Sequence, residues 1–175
     1  MAVIAVFGNS SCQEGSFEYE TAELLGRKLA HEGFDLITGG YAGVMEAALK
    51  GADSYSTRKI GVVLKDETKN KVNSFVNEII KVDSYLDRLK KLLDEADIYI
   101  ILPGGSGTLL EFAAAWALIE RDYCKNKLII CLGEQWAEVM QTVGFYSEKA
   151  LDSFKHISTA ANVSEVLETI KNFKI

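Results

Sequence analysis

A chain of 175 residues, 48% hydrophobic with a single proline, has the length of one domain and buries roughly 70% of the surface its unfolded chain would expose. Its net charge of −6 argues against a nucleic-acid surface, and no apolar run reaches the ~18 residues of a membrane span. Cys12, Cys124 and Cys131 are odd in number and lack C-x-x-C spacing, and His31 and His156 lie far apart, so neither a disulfide framework nor a metal site is indicated and a cytoplasmic setting is expected.

The opening run to Phe7 is apolar but lacks a basic n-region and breaks at Gly8, so Val3–Phe7 reads as a first strand and not as a signal peptide. Tyr19 to His31 reads as a helix with Ala22, Leu25 and Leu29 on one face, stopped by Gly33. A strand over Phe34–Thr38, a helix over Gly43–Ala52 and a strand over Lys59–Val63 follow, with a further short strand at Glu78–Val82. Ser84 caps a helix whose Leu86, Leu89, Leu92 and Leu93 form a core stripe. Then come the strand Ile98–Leu102, a helix from Leu109 to about Arg121, the strand Leu128–Leu132 and a helix around Gln135–Val143. His156–Ser158 reads as an edge strand. Asn162-x-x-Glu165 opens a closing helix that turns Val163, Val166, Ile170 and Phe173 inward. Strand runs without polar alternation imply a parallel sheet covered on both faces. The expected fold is therefore α/β, a Rossmann-like doubly wound parallel sheet with helices on both faces, formed by residues 1–175 as a single domain.

Three turns then fall at the carboxyl ends of strands, where such sheets bind ligands. Gly8, Asn9 and Ser10 follow the first strand; Gly39, Gly40 and Gly43 follow the second; Gly104, Gly105, Ser106, Gly107 and Thr108 follow Pro103. The last of these joins a strand to a helix through glycines. Their amides approach a phosphate closely, and the helix start adds about half a positive charge. Glu111 places a carboxylate one turn further on. A Walker A loop is excluded because no lysine follows Gly107, and the Gly39–Gly43 turn lacks the first glycine of a dinucleotide fingerprint. Thr108-x-x-Glu111 also spells a capping box, in which both side chains serve backbone donors and hold the carboxylate ionised.

Pro103-Gly-Gly-Ser-Gly-Thr-Leu-Leu-Glu111, preceded by Arg88 and by Gly39-Gly-Tyr-Ala-Gly-Val-Met45, resembles the Lonely Guy family. Those are cytokinin-activating phosphoribohydrolases, many once labelled possible lysine decarboxylases. The family pattern is P-G-G-x-G-T-x-x-E with an upstream R-K pair and a G-G-G-x-x-G-x-M turn. The resemblance implies hydrolysis of the N-glycosidic bond of a nucleoside 5′-monophosphate to free base and ribose 5-phosphate. It implies Arg88 and Glu111 as the catalytic pair, a phosphate on the Gly104–Thr108 turn, Met45 in the binding site and a homodimer, and nothing in it points to pyridoxal chemistry; with the composition above, no cofactor, metal, nucleic acid or membrane is expected. Three positions depart from the pattern: Leu89 stands where the family has lysine, Thr38 where it has the first glycine, and Ser106 where an aromatic or other residue is often seen inside the phosphate turn. A related branch, the molybdenum-cofactor carrier proteins, uses a similar cradle to bind a phosphorylated pterin without turnover, and the Gly43-Val-Met-Glu-Ala run fits it nearly as well.

Both activities thus stand as expectations: a nucleotide N-glycosidase, or a carrier for a phosphorylated cofactor or nucleotide. In the first, an ionised Glu111 stabilises the oxocarbenium-like transition state or orients water, and is a poor general acid. Arg88 neutralises phosphate or steers the departing base. Its alternative is a solvated helix arginine near Asp87 and Lys91.

Overall fold

The computed structural model describes residues 2–66, 68, 70–124, 126–146 and 153–173. Seven strands form one wholly parallel sheet: β1 (Val3–Phe7), β2 (Asp35–Thr38), β3 (Lys59–Leu64), β4 (Glu78–Val82), β5 (Ile98–Ile101), β6 (Leu128–Leu132) and β7 (Ile157–Ala160). Their spatial order is β4-β3-β2-β1-β5-β6-β7, so the winding reverses between β1 and β5. The helices are α1 (Phe17–His31), α2 (Val44–Gly51), α3 (Tyr85–Glu95), α4 (Ser106–Glu120), α5 (Gln135–Phe145) and α6 (Val163–Asn172). This is the expected Rossmann-like architecture, and β7 lies at the edge as its sequence suggested.

Side-chain alternation along each strand divides the core into two layers. Ile4 and Val6 of β1 face a layer built with α1, α2 and α6, among them Leu25, Leu29, Ala47, Val166 and Ile170. Val3, Ala5 and Phe7 face the opposite layer, built with α3, α4 and α5 around Leu92, Phe112, Trp116 and Trp136. Trp136 is fully packed there, and its indole N–H donates to Leu102 O at 3.0 Å, so the ring's polar edge is satisfied inside the core.

Local chemistry fixes most helix starts. Ser16 Oγ accepts from Tyr19 N at 3.3 Å, which opens α1 two residues before the periodicity suggested. Ser84 Oγ accepts from Asp87 N at 3.1 Å, as expected for α3. Asn162 Oδ1 accepts from Glu165 N at 3.1 Å to start α6. The leucine stripe of α3 needs correction. Leu92 and Leu93 are buried and Leu89 is half-buried, but Leu86 is 70% exposed. The buried face runs instead through Arg88 and Leu92, four residues apart, because α3 is rotated to carry Arg88 under the sheet edge.

Among the described residues no helix is long and apolar enough to cross a membrane. The two-helix pair α1 and α2 packs unusually closely, with Gly26 against the Ala48 carbonyl and Gly51 against that of Glu23. A Cβ on Gly26 would overlap the Ala48 carbonyl oxygen, which belongs to backbone and cannot swing aside. Gly26→Ala is therefore expected to lower unfolding stability by about 3 kcal/mol, the upper end of overpacking costs, in urea titrations followed by circular dichroism. A parent-like midpoint would refute the close backbone approach.

Candidate active site

Where the winding reverses, the C-terminal ends of β1 and β5 open a crevice, the place where open α/β sheets hold ligands. The turns after β1, β2 and β5 are bonded together there through Asn9. Its N–H donates to Pro103 O at 3.0 Å, and its carbonyl accepts from Val44 N at 2.9 Å. Its side chain is committed as well, Oδ1 accepting from Ser11 N at 2.9 Å and Nδ2 donating to Glu18 at 2.8 Å. Gly43 makes this junction possible: it has φ +69°, and a Cβ there would overlap the Asn9 carbonyl.

The three turns enclose a cavity of about 490 Å³, a size suited to a small-molecule ligand. Of the residues singled out from sequence, Gly8, Asn9, Ser10, Met45, Arg88, Gly105, Ser106, Gly107, Thr108 and Glu111 all line it. Gly39, Gly40, Gly43 and Gly104 do not. Gly104 is the clearest correction, since its N–H donates to Gln135 Oε1 at 2.9 Å and its carbonyl accepts from Gln135 Nε2 at 2.8 Å. It shapes the turn from behind, where a Cβ would overlap Thr108 Oγ1.

Helix α4 begins at Ser106, not at Leu109. Gly105 occupies the cap position in extended backbone and supplies no side chain, and its carbonyl accepts the first helical bond from Leu109 N at 2.9 Å. Thr108-x-x-Glu111 is consequently no capping box: Thr108 is the third helical residue and Glu111 the sixth. Among the described residues nothing accepts from the N–H groups of Ser106, Gly107 and Thr108. They face the cavity as open donors at the positive end of a 15-residue helix.

Arg88 enters from the opposite wall and is only 7% exposed, which overturns its reading as a solvated helix arginine. Its Nε donates to Val62 O at 2.8 Å, and its Nη2 lies 3.9 Å from Met45 Sδ. The guanidinium carbon sits 5.3 Å from the Tyr41 ring centre and 5.8 Å from that of Tyr85, within cation–π range. A Cβ on Gly39 would overlap Nη2, so the absent side chain there makes room for the charge. No described carboxylate forms an ion pair with Arg88.

Glu111 is 9% exposed, and no described group hydrogen-bonds its carboxyl. Burial pushes that carboxyl up to about 7, with the Arg88 charge pulling it down only in part. The expectation of a carboxylate held ionised by the helix start is thereby corrected. Glu111 sits more than a turn inside α4, beyond the reach of the terminal N–H groups, and desolvation dominates.

Tyr41, Leu64, Asn70 and Tyr85 also line the cavity and were not singled out from sequence. Tyr85 had a usable signal, since it precedes Arg88 by three residues and so shares its helix face. Asn70 had none, because the connection from β3 to β4 carries no motif. Leu89, at the family's lysine position, lies outside the cavity lining and packs in the α3–α4–α5 layer.

Fold and site together define a Rossmann-like α/β protein in which open N–H groups at a helix start share a cavity with a buried arginine and a buried carboxyl. The chain belongs to the SLOG cluster4 family, whose model matches residues 1–166. It is 34% identical over 112 residues to an uncharacterized protein of Archaeoglobus fulgidus, covering 64% of this chain and 72% of that one. It is 31% identical over 99 residues to a cytokinin riboside 5′-monophosphate phosphoribohydrolase of Mycobacterium tuberculosis, covering 55% of this chain. That match spans 53% of the mycobacterial protein's length. Among solved structures, a molybdenum cofactor binding protein from the phototrophic bacterium Rippkaea orientalis superposes with a TM-score of 0.78 at 26% identity, covering 98% of this chain and 96% of that one.

The raised Glu111 carboxyl has a measurable consequence. A carboxyl whose folded value lies above its unfolded value of 4.5 binds a proton on folding, so its stabilising contribution is complete below about pH 4.5 and is lost as pH rises through about 7. Glu111→Gln cannot ionise and escapes that loss. The stability of the Gln variant relative to the parent is expected to grow with pH, by up to about 3 kcal/mol between roughly pH 4.5 and pH 8, in urea titrations of ligand-free protein. A difference that does not vary with pH would refute a buried, unpaired carboxyl.

Proposed function

We propose that the chain binds a nucleoside 5′-monophosphate, AMP or a cytokinin riboside 5′-monophosphate, and hydrolyses its N-glycosidic bond to free base and ribose 5-phosphate. The observation that carries this reading is Glu111, a buried carboxyl with no hydrogen-bond partner among the described residues, lining the same cavity as the open N–H groups of α4. In this reading the N–H groups of Ser106, Gly107 and Thr108 take the phosphate oxygens, with the helix start adding favourable charge. Arg88 supplies the fixed cation on the facing wall. The ribosyl C1′–N bond breaks with oxocarbenium character, and ionised Glu111 stabilises that charge. Glu111 takes a proton from the attacking water as its oxygen bonds to C1′, then passes that proton to the departing base nitrogen. A carboxyl titrating near neutrality suits both transfers.

The mycobacterial relative supports the reaction class, and the retention of both Arg88 and Glu111 supports turnover. The second reading, a carrier for a phosphorylated cofactor or nucleotide, is favoured by the cofactor-binding structure, which matches this chain almost end to end. Incubation with a panel of nucleoside monophosphates, with base and ribose 5-phosphate separated by chromatography, decides between them. Release is expected from at least one nucleotide and far more slowly from the nucleoside without its phosphate. Glu111→Gln is expected to reduce that turnover by roughly a hundredfold or more while leaving phosphate-dependent binding in place. Tight binding with no release from any nucleotide would favour the carrier.

The same reading includes one cytoplasmic domain acting as a homodimer. The cytoplasmic assignment is supported by Cys12, Cys124 and Cys131, all free thiols. The dimer is supported by an apolar outer face in which Leu109, Leu110 and Ala113 of α4 stand exposed, with Leu86 exposed on α3. Light scattering at micromolar concentration is expected to return twice the 19.3 kDa chain mass. A mass of one chain would remove the dimer.

A further inference from the structure

Two tyrosines flank Arg88, and the structure uses them differently. Tyr41 is buried, and its hydroxyl accepts from Leu64 N at 3.2 Å, so ring and hydroxyl both belong to the scaffold. Tyr85 is 44% exposed and lines the cavity, and no described group hydrogen-bonds its hydroxyl. It is the first residue of α3, held in direction by the Ser84 cap. Its ring lies 5.8 Å from the Arg88 guanidinium carbon, and its hydroxyl stands 3.6 Å from the place a Cβ on Gly107 would occupy. One side chain therefore reaches from the cation on one wall to the start of α4 on the other.

We propose that Tyr85 is a phosphate-gripping residue of this site, its hydroxyl donating to the phosphate that rests on the N-terminus of α4. The inference rests on the nucleotide reading above. The chemistry follows from directions. A helix start offers its N–H groups from one side only, along the axis, so a phosphate seated there keeps terminal oxygens turned away from α4. The Tyr85 hydroxyl is a side-chain donor, uncommitted among the described residues, set above the second residue of that helix. Gly107 fits the same picture, because a methyl group there would fill the space between the hydroxyl and the helix start. The ring, against Arg88, also shields the guanidinium from water and strengthens its pull on the same anion.

Ribose 5-phosphate and inorganic phosphate are suitable probes, since neither carries a bond for the site to cleave. Calorimetric titrations of the parent, Tyr85→Phe and Tyr85→Leu separate the hydroxyl from the ring. Tyr85→Phe keeps the ring against Arg88 and removes only the donor. It is expected to weaken ribose 5-phosphate about tenfold, the low end for a hydrogen bond to a charged group at a partly exposed position. Tyr85→Leu should lose at least as much, and both variants should melt like the parent because the side chain is half in solvent. Parent-like binding by Tyr85→Phe alongside weakened binding by Tyr85→Leu would overturn the hydroxyl's role and leave only ring packing. Parent-like binding by both would overturn the proposal while leaving the nucleotide reading intact. If the parent itself takes neither probe, the phosphate cradle is refuted, and both readings fall before any variant is made.

Discussion

The arrangement turns on one charge, the Arg88 guanidinium, taken out of water with no ion-pair partner among the described residues. Removing an ion from water costs several kcal/mol even after relaxation, and truncating its environment leaves the cost uncompensated. Here the Val62 carbonyl, the Tyr41 face and the Met45 sulfur offset part of it. In the proposed function an anion in the cavity satisfies the rest. Several features of the sequence make sense only against that charge. Gly39 lacks a side chain where one would overlap Nη2, and α3 is rotated so that Arg88 and Leu92 share its buried face while Leu86 is left in solvent.

Across the cavity, α4 repeats the logic with partial charges. Among the described residues three backbone N–H groups stand open at its start because the cap residue is glycine and brings no side-chain oxygen of its own. A serine or aspartate at that cap would satisfy a donor and occupy the place of a ligand. Glu111 then sits deeper on the same helix, where burial outweighs the attraction of Arg88 and brings its carboxyl near neutrality. The cavity thus combines a buried guanidinium on one wall with open helix-start N–H groups and a buried carboxyl carried by α4.

How much of this was legible in the sequence depends on whether the signal was local. The buried strands were readable because parallel strands carry uninterrupted apolar runs, as in Ile98–Ile101 and Leu128–Leu132, and the Ser84 and Asn162 caps were readable because a cap is a property of four consecutive residues. The start of α4 was misread for the converse reason: T-x-x-E has the spelling of a cap, while the true boundary is set by Gly105 and by the grip of Gln135 on Gly104, 31 residues away. The burial of Arg88 and Glu111 was likewise out of reach. For Arg88 it depends on Gly39, Val62 and Tyr41, contributed by other strands and turns, and no periodicity within α3 encodes it.

The departure at Leu89 bears on the choice between catalyst and carrier. A lysine lost from the cavity would weaken the grip on phosphate, yet Leu89 is not part of the cavity wall and completes a core layer with α4 and α5. The substitution therefore leaves Arg88 as the cation among the described lining residues and does not by itself speak against turnover. Glu111 speaks more directly. For a protein that only holds a phosphorylated ligand, a carboxyl buried beside the phosphate is a cost in both charge states, repelling the anion when ionised and wasting a buried polar group when not. Such a cost is tolerated where the group interacts more strongly with a transition state than with the bound ground state. In the proposed function, the positive charge that develops on a ribosyl carbon as its bond to nitrogen breaks is of that kind, and a buried carboxyl pushed up to about 7, with no hydrogen-bond partner among the described residues, is matched to it.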